Sequence, residues 1–157
     1  MTIKIRPIEL IDHDGVMKVV KSLNPGWFDD YAISNEIPLD LKLHHGFAAE
    51  NDGKIVGFIT FSSEEGDIKI TWLGVNLNSH RKGVGGQLLE KVEKAARNLE
   101  VKKITVETLS DKEDWEPYNR TRAFYLKNGF KFLSDRKITN KSDETFWLVK
   151  YIKELND

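Results

Sequence analysis

The sequence contains no cysteine, which excludes disulfides, thiolate metal centres and a cysteine nucleophile, and suits a reducing compartment. Proline is scarce, 4 residues in 157, and no Pro-, Gly- or Ser-rich stretch separates two units, so residues 1–157 read as one domain. Net charge is nearly absent, −1 from 24 Lys and Arg against 25 Asp and Glu. Without an excess of positive field, no nucleic-acid or membrane partner is expected, and any anion site has to be local. No apolar run approaches the roughly 20 residues that cross a bilayer. Met1 to Arg6 alternate charged with apolar side chains, unlike the continuous apolar core of a secretory leader, so a cytoplasmic location is expected.

What is present suits a folded domain: 39% hydrophobic residues, 10% aromatic, and 31% charged to cover the surface. Ile3, Ile5 and Ile8 give a short strand, after which Asp12 is placed to cap a helix carrying Val16, Val19, Val20 and Leu23. Trp27 to Leu43 reads as a second short helix plus loop, with Pro38 as a breaker. Gly46 to Glu50 and Lys54 to Ser62 are strands joined by an Asp52-Gly53 turn, and a turn at Gly66 leads to a third through Ile68, Ile70 and Trp72. Leu88, Leu89, Val92, Ala95, Ala96 and Leu99 then recur at helical spacing. Lys102 to Leu109 alternates again, and the crossover into it makes the sheet mixed. Glu116-Pro117 opens and Asn128-Gly129 closes another helix, and strands from Phe130 to Arg136 and Glu144 to Tyr151 finish the chain.

The segment Ser79-His80-Arg81-Lys82-Gly83-Val84-Gly85-Gly86 stands between a strand ending at Val75 and the longest helix. Free N–H groups at a helix start, the helix dipole and close backbone approach at glycine together suit a phosphate, and Arg81 and Lys82 add countercharge. The lysine precedes the glycines and no third glycine completes G-x-G-x-x-G, so neither a P-loop nor a dinucleotide fingerprint fits.

His80 to Gly85 resembles the Q/R-x-x-G-x-G/A signature of the GNAT acetyltransferase superfamily, departing from it where His80 replaces Gln or Arg. Asn119-Arg120-Thr121-Arg122-Ala123-Phe124-Tyr125-Leu126-Lys127-Asn128-Gly129-Phe130 is similar to that superfamily's later helix and exit strand. The order of elements is also similar, so the resemblance implies an α+β, three-layer fold. It would have a mixed, mainly antiparallel sheet of about seven strands flanked by about four helices.

It further implies transfer of an acetyl group from acetyl-coenzyme A to an amine. His80, Arg81, Lys82, Gly83, Val84, Gly85 and Gly86 would hold the pyrophosphate, mainly through backbone N–H groups. Leu73, Gly74 and Val75 would meet the thioester and pantetheine arm, with Gly74 suited to a β-bulge. Tyr125 would stand beside the sulfur as the acid that protonates the departing thiolate. Asn119 would lie near the pantetheine arm, and Arg122 either near phosphate or on the solvated helix surface.

For the general base, Glu107 lies on the strand beside the expected cleft; Asp67, Glu36 and an ordered water are the alternatives. His44 and His45, adjacent on a strand, point to opposite faces and lack a third ligand, so no metal is expected. A small-molecule amine is the expected acceptor, admitted between Trp27–Leu43 and the last hairpin, where Asp29, Asp30 and Glu36 can attract a cation. A protein amine as acceptor, or an acyl-coenzyme A sensor without chemistry, are the competing readings. The final strands offer an edge for a homodimer.

Overall fold

The computed structural model describes residues 2–155. Strands β1 (Lys4–Pro7), β2 (His45–Asn51), β3 (Lys54–Glu64), β4 (Asp67–Val75), β5 (Lys103–Leu109), β6 (Lys131–Thr139) and β7 (Thr145–Glu154) form one sheet in the order β1-β2-β3-β4-β5-β7-β6. Every neighbouring pair is antiparallel except β4 with β5, which the crossover helix makes parallel. The expected mixed, mainly antiparallel sheet of seven strands is what forms.

Helices α1 (His13–Ser22) and α2 (Ile37–Leu43) cover one face; α3 (Val84–Asn98) and α4 (Pro117–Lys127) cover the other. Strand alternation sorts the core accordingly. Phe58 packs with Val16, Val20, Leu23 and Ile37, while its neighbour Ile59 packs with Leu88, Val92 and Ile104. The helices α1 to α4 thus make the outer layers of a three-layer α+β fold, four helices in all, as expected. Among the described residues no helix is long and apolar enough to cross a membrane.

Three local expectations need correction. Asp12 stands at the N-cap of α1, but its side chain does not cap. Its carboxylate instead takes both terminal nitrogens of Arg6, at 2.6 and 2.8 Å, and the Glu9 N–H at 2.8 Å. A bidentate charge-assisted pair outcompetes a single bond to a helix N–H. Pro38 does not break a helix; it sits in the first turn of α2, where its missing N–H leaves no bond unmade, after a π-helical turn at Ala32–Glu36.

The bulge in β4 is not at Gly74. Residues Trp72 to Val75 pair regularly with Thr60 to Gly57, and the register slips between Thr60 and Phe61, leaving Thr71 as the extra residue. The Thr71 hydroxyl there meets Thr60 Oγ1 at 2.7 Å and His44 Nδ1 at 3.0 Å. Gly74 serves packing: a Cβ would lie 2.8 Å from the Phe58 ring and 3.3 Å from that of Phe28.

Lys153 on β7 ties three elements together, donating from Nζ to Glu93 on α3 and, at 2.8 Å, to the Asn128 carbonyl that ends α4. Glu93 is 8% exposed, so losing its cation leaves a buried charge unpaired. Lys153→Met is expected to cost about 2 kcal/mol, less than the roughly 3–5 kcal/mol of a fully buried pair because Lys153 keeps solvent contact. The melting temperature should drop by roughly 4–8 °C, and Glu93→Leu added to it should recover most of the loss.

Candidate active site

Parallel pairing of β4 with β5 holds only from Ile68–Ile70 against Ile104–Val106. Beyond it the strands part, and Thr71 to Val75 and Glu107 to Leu109 line the two walls of a cavity of about 1350 Å³. The slip at Thr71 re-aims the end of β4, and β5 turns instead to pair with β7 along its whole length. Irregular pairing in the middle of the sheet thus opens the protein where both helix layers end.

At one mouth the chain leaves β4 through a 3-10 turn, Leu77–Ser79, and enters α3. His80 Nε2 donates to the Val75 carbonyl at 2.6 Å, bracing the loop against the strand it left, and the His80 ring meets Trp27 edge-on with centroids 5.5 Å apart. Arg81 has φ +64° and Gly83 φ +79°, a left-handed entry that glycine adopts without strain. No side chain caps α3, and the first bond of the helix runs from Gln87 N–H to the Gly83 carbonyl. The N–H groups of Val84, Gly85 and Gly86 therefore lack intrahelical partners, a cradle whose geometry suits an anion.

Helix α4 supplies the facing wall. Tyr118, Thr121, Phe124, Tyr125 and Asn128 line the cavity, spaced three, four or seven apart along one face. Gly85 permits the contact between helices: a Cβ there would come within 3.2 Å of the Phe124 ring. Tyr125 is 2% exposed, packed edge-on against Phe124 and Phe130 with centroids 5.2 and 5.3 Å away. Its hydroxyl has no hydrogen-bond partner among the described residues, yet no buried side-chain polar atom among them is unsatisfied, so it opens on the cavity. Burial first, and the nearby Tyr118 second, raise its pKa, so the phenol keeps its proton.

A family model described as an acetyltransferase (GNAT) domain matches residues 42–132, more than half of the chain and all of this cleft's central part. The protein belongs to the GNAT acetyltransferase family. The Bacillus subtilis protein YdhI is 34% identical over 88 residues, which cover 55% of this chain; the chain spans about half the length of the curated relatives it matches. Among solved structures, a probable acetyltransferase from Staphylococcus epidermidis superposes with a TM-score of 0.84 at 18% identity, covering 99% of this chain and 100% of that one. A GNAT family acetyltransferase from Elizabethkingia anophelis with acetyl-CoA bound superposes at 0.71 and 20% identity, covering 98% of each. At such identities the likeness shows a shared GNAT fold.

In this GNAT domain the structure brings together Leu73, Gly74, Val75, His80, Arg81, Gly83, Val84, Gly85, Gly86, Glu107 and Tyr125 around one cavity. Lys82 is exposed and does not line it. Asn119 and Arg122 do not line it either. Arg122 is 7% exposed, neither at a phosphate site nor on a solvated surface; it donates to the Leu109 carbonyl at 2.6 Å and to Asn119 Oδ1, tying α4 to the end of β5. The flanking residues that do reach the cavity are Arg120, Thr121 and Asn128.

Glu107 faces the cavity but is gripped by Arg136 through two bonds of 2.7 and 2.8 Å, with Lys69 at 3.5 Å. The bonds from Arg136, then the charges of Arg136 and Lys69, outweigh burial and hold its pKa low, which makes it a weak proton acceptor. A lowered folded pKa stabilises above the ordinary glutamate value, and the contribution is lost as pH falls through the lowered one. Arg136→Gln is therefore expected to lower the urea midpoint at pH 7, with the difference from wild type closing below about pH 4. Of the alternatives, Asp67 sits at the β3–β4 hairpin outside the cavity, and Glu36 lines it with a pKa raised by burial and by Asp29 and Asp40. Asp30 is bonded by Asn24 at 2.9 Å and does not line the cavity.

The sequence reading did not single out Trp115 and Tyr118. Trp115 Nε1 donates to the Gly26 carbonyl at 2.6 Å, and the Tyr118 hydroxyl donates to that of Trp27, so the loop after α1 is strapped across the cleft to the start of α4. Tyr118 lies two turns before Tyr125 on the same helix face, a spacing legible in the sequence. The Gly26 carbonyl that the Trp115 indole meets lies 89 residues away and carries no local signal. Among the described residues no group of three or more His, Asp or Glu is placed to hold a metal; His44 bonds Thr71, and His45 stacks on Phe61.

Proposed function

We propose that this domain transfers an acetyl group from acetyl-coenzyme A to a primary amine of a small molecule, by direct attack within a ternary complex in the cytoplasm. The observation that carries the reading is one cavity joining two features: the uncapped N–H cradle at α3 and the hydroxyl of buried Tyr125, which opens on the cavity and has no partner among the described residues. The cradle fits a pyrophosphate, since Gly86 has nothing within 4 Å of where a Cβ would stand and the N–H groups have no other acceptor. Arg81 and Arg120 on the same lining add positive charge. The end of β4 from Leu73 to Val75, which has parted from β5, would carry the pantetheine arm inward.

Acetyl-coenzyme A supplies the activated acyl group. Tyr125 then acts as a hydrogen-bond donor to sulfur as negative charge develops there, and its raised pKa keeps the donor protonated. The aromatic walls, among them Phe28, Trp72 and Phe124, lower the local dielectric and strengthen that interaction. The test is thiol release from acetyl-coenzyme A over a panel of small primary amines, with the acetylated product confirmed by mass. Acetyl-coenzyme A bound tightly with no thiol released across the panel would favour a sensor, and label appearing only on protein amines would move the acceptor to protein.

A further inference from the structure

Carboxylates also reach the cavity. Asp29, Glu36, Glu113 and Glu144 all line it, and none forms an ion pair among the described residues. Asp29 spends one oxygen on the Ala32 N–H at 2.8 Å, and Glu144 accepts from Asn140 at 3.2 Å; the Glu36 side chain has no hydrogen bond among the described residues. Asp40, just behind, accepts from Trp72 Nε1 at 2.7 Å and adds its charge to the same region. Lys141, on the turn between β6 and β7, is the one cation whose field reaches Glu36. The cations of the lining, Arg81, Arg120 and Lys127, stand on the cradle loop and α4.

The carboxylates connect to the reaction centre. Asp29 lies close enough to Tyr118 for its charge to act on that phenol, and Tyr118 acts in turn on Tyr125, whose hydroxyl has no partner among the described residues and opens on this cavity. The path from Tyr125 to Glu36 is walled by aromatic rings: Phe28 and Trp72 meet edge-on at 5.8 Å, and Phe146 faces the same space. Aromatic walls suit a methylene chain and also the face of a cation. The π-helical turn Ala32–Glu36 sets Glu36 at the junction with α2, and such turns recur at functional sites.

We infer that the acceptor is a linear aliphatic diamine or polyamine, one nitrogen placed beside Tyr125 and a second, permanently charged nitrogen held by Asp29 and Glu36. The inference rests on the acetyl-transfer reading. A singly charged amine, once it loses its proton to attack, would leave both carboxylates with only the field of Lys141 on Glu36 to balance them, whereas a dication keeps one charge beside them throughout. An acceptor with an anionic tail would add repulsion.

Three linear primary amines test it under saturating acetyl-coenzyme A: 1,4-diaminobutane, butylamine and 4-aminobutanoate. The diamine is expected to exceed butylamine in kcat/KM by about 30-fold or more, with 4-aminobutanoate lowest, and the advantage should shrink as salt is raised. Glu36→Gln and Asp29→Asn should each cut the diamine-to-butylamine ratio at least about fivefold, with melting temperatures near that of the unaltered protein to show folding is intact. Butylamine turned over as fast as the diamine, or a ratio unmoved in both variants, overturns the dication. Thiol release with another primary amine but with none of these three overturns the dication alone, and no release with any amine of the wider panel overturns the acetyl-transfer reading as well.

Discussion

Turnover by Tyr125→Phe is expected to fall about 10²-fold, as for loss of a hydrogen-bond donor aimed at developing charge, while KM for acetyl-coenzyme A changes little. The hydroxyl is the only atom removed, and it has no protein partner among the described residues, so no donor or acceptor is orphaned. The ring stays in its edge-on contacts with Phe124 and Phe130, and the melting temperature should hold or rise slightly. The raised pKa fits the proposed donor role. A group that keeps its proton through the working range serves as a donor, never as the base, so the defect should be constant between about pH 6 and 9. A variant with undiminished kcat would leave Tyr125 as a core aromatic, and a defect that changes with pH across that range would mean the phenol titrates in the cycle.

The parts of this site that the sequence shows are those set by local rules. Glycine at 83 meets a left-handed backbone, a period of three to four residues builds α3 and α4, and Asn128-Gly129 ends α4 with φ +90° at the glycine. The seven strands follow from alternation and turns. What escapes is set by partners distant in the chain. Arg122 reads as surface because charged helix residues usually are, yet the Leu109 carbonyl, left over where β5 ends, draws it inward. Glu107 alternates toward the cavity as one of two options, but its neutralisation depends on β7 slotting between β5 and β6 so that Arg136 arrives within reach. The bulge falls at Thr71, three residues from the glycine that composition favours, because Phe58 and Phe28 need Gly74 bare and flat. Local signals locate the cradle and the donor; long-range packing decides which charges remain free to meet a ligand.

Gly86→Asp separates the cradle's chemistry from its fold most sharply, because the two are expected to move in opposite directions. Gly86 is the third residue of α3, and a Cβ there meets nothing within 4 Å. A carboxylate in the first turn is favourable to the helix by roughly 0.3–1 kcal/mol, and replacing a helical glycine adds a few tenths more. The melting temperature should therefore rise by about 1–4 °C. The same carboxylate would occupy the open space above the free N–H groups of Val84, Gly85 and Gly86, where the pyrophosphate is proposed to lie. Two like charges about 4 Å apart at an effective dielectric near 20 repel by about 4 kcal/mol, so affinity for coenzyme A should fall about 10³-fold, read by calorimetry. Gly86→Ala adds volume without charge and should lose only a few-fold. Retained affinity in the aspartate variant would place the pyrophosphate elsewhere; lost affinity in a protein that melts higher cannot be ascribed to misfolding and leaves the start of α3 as the anion site.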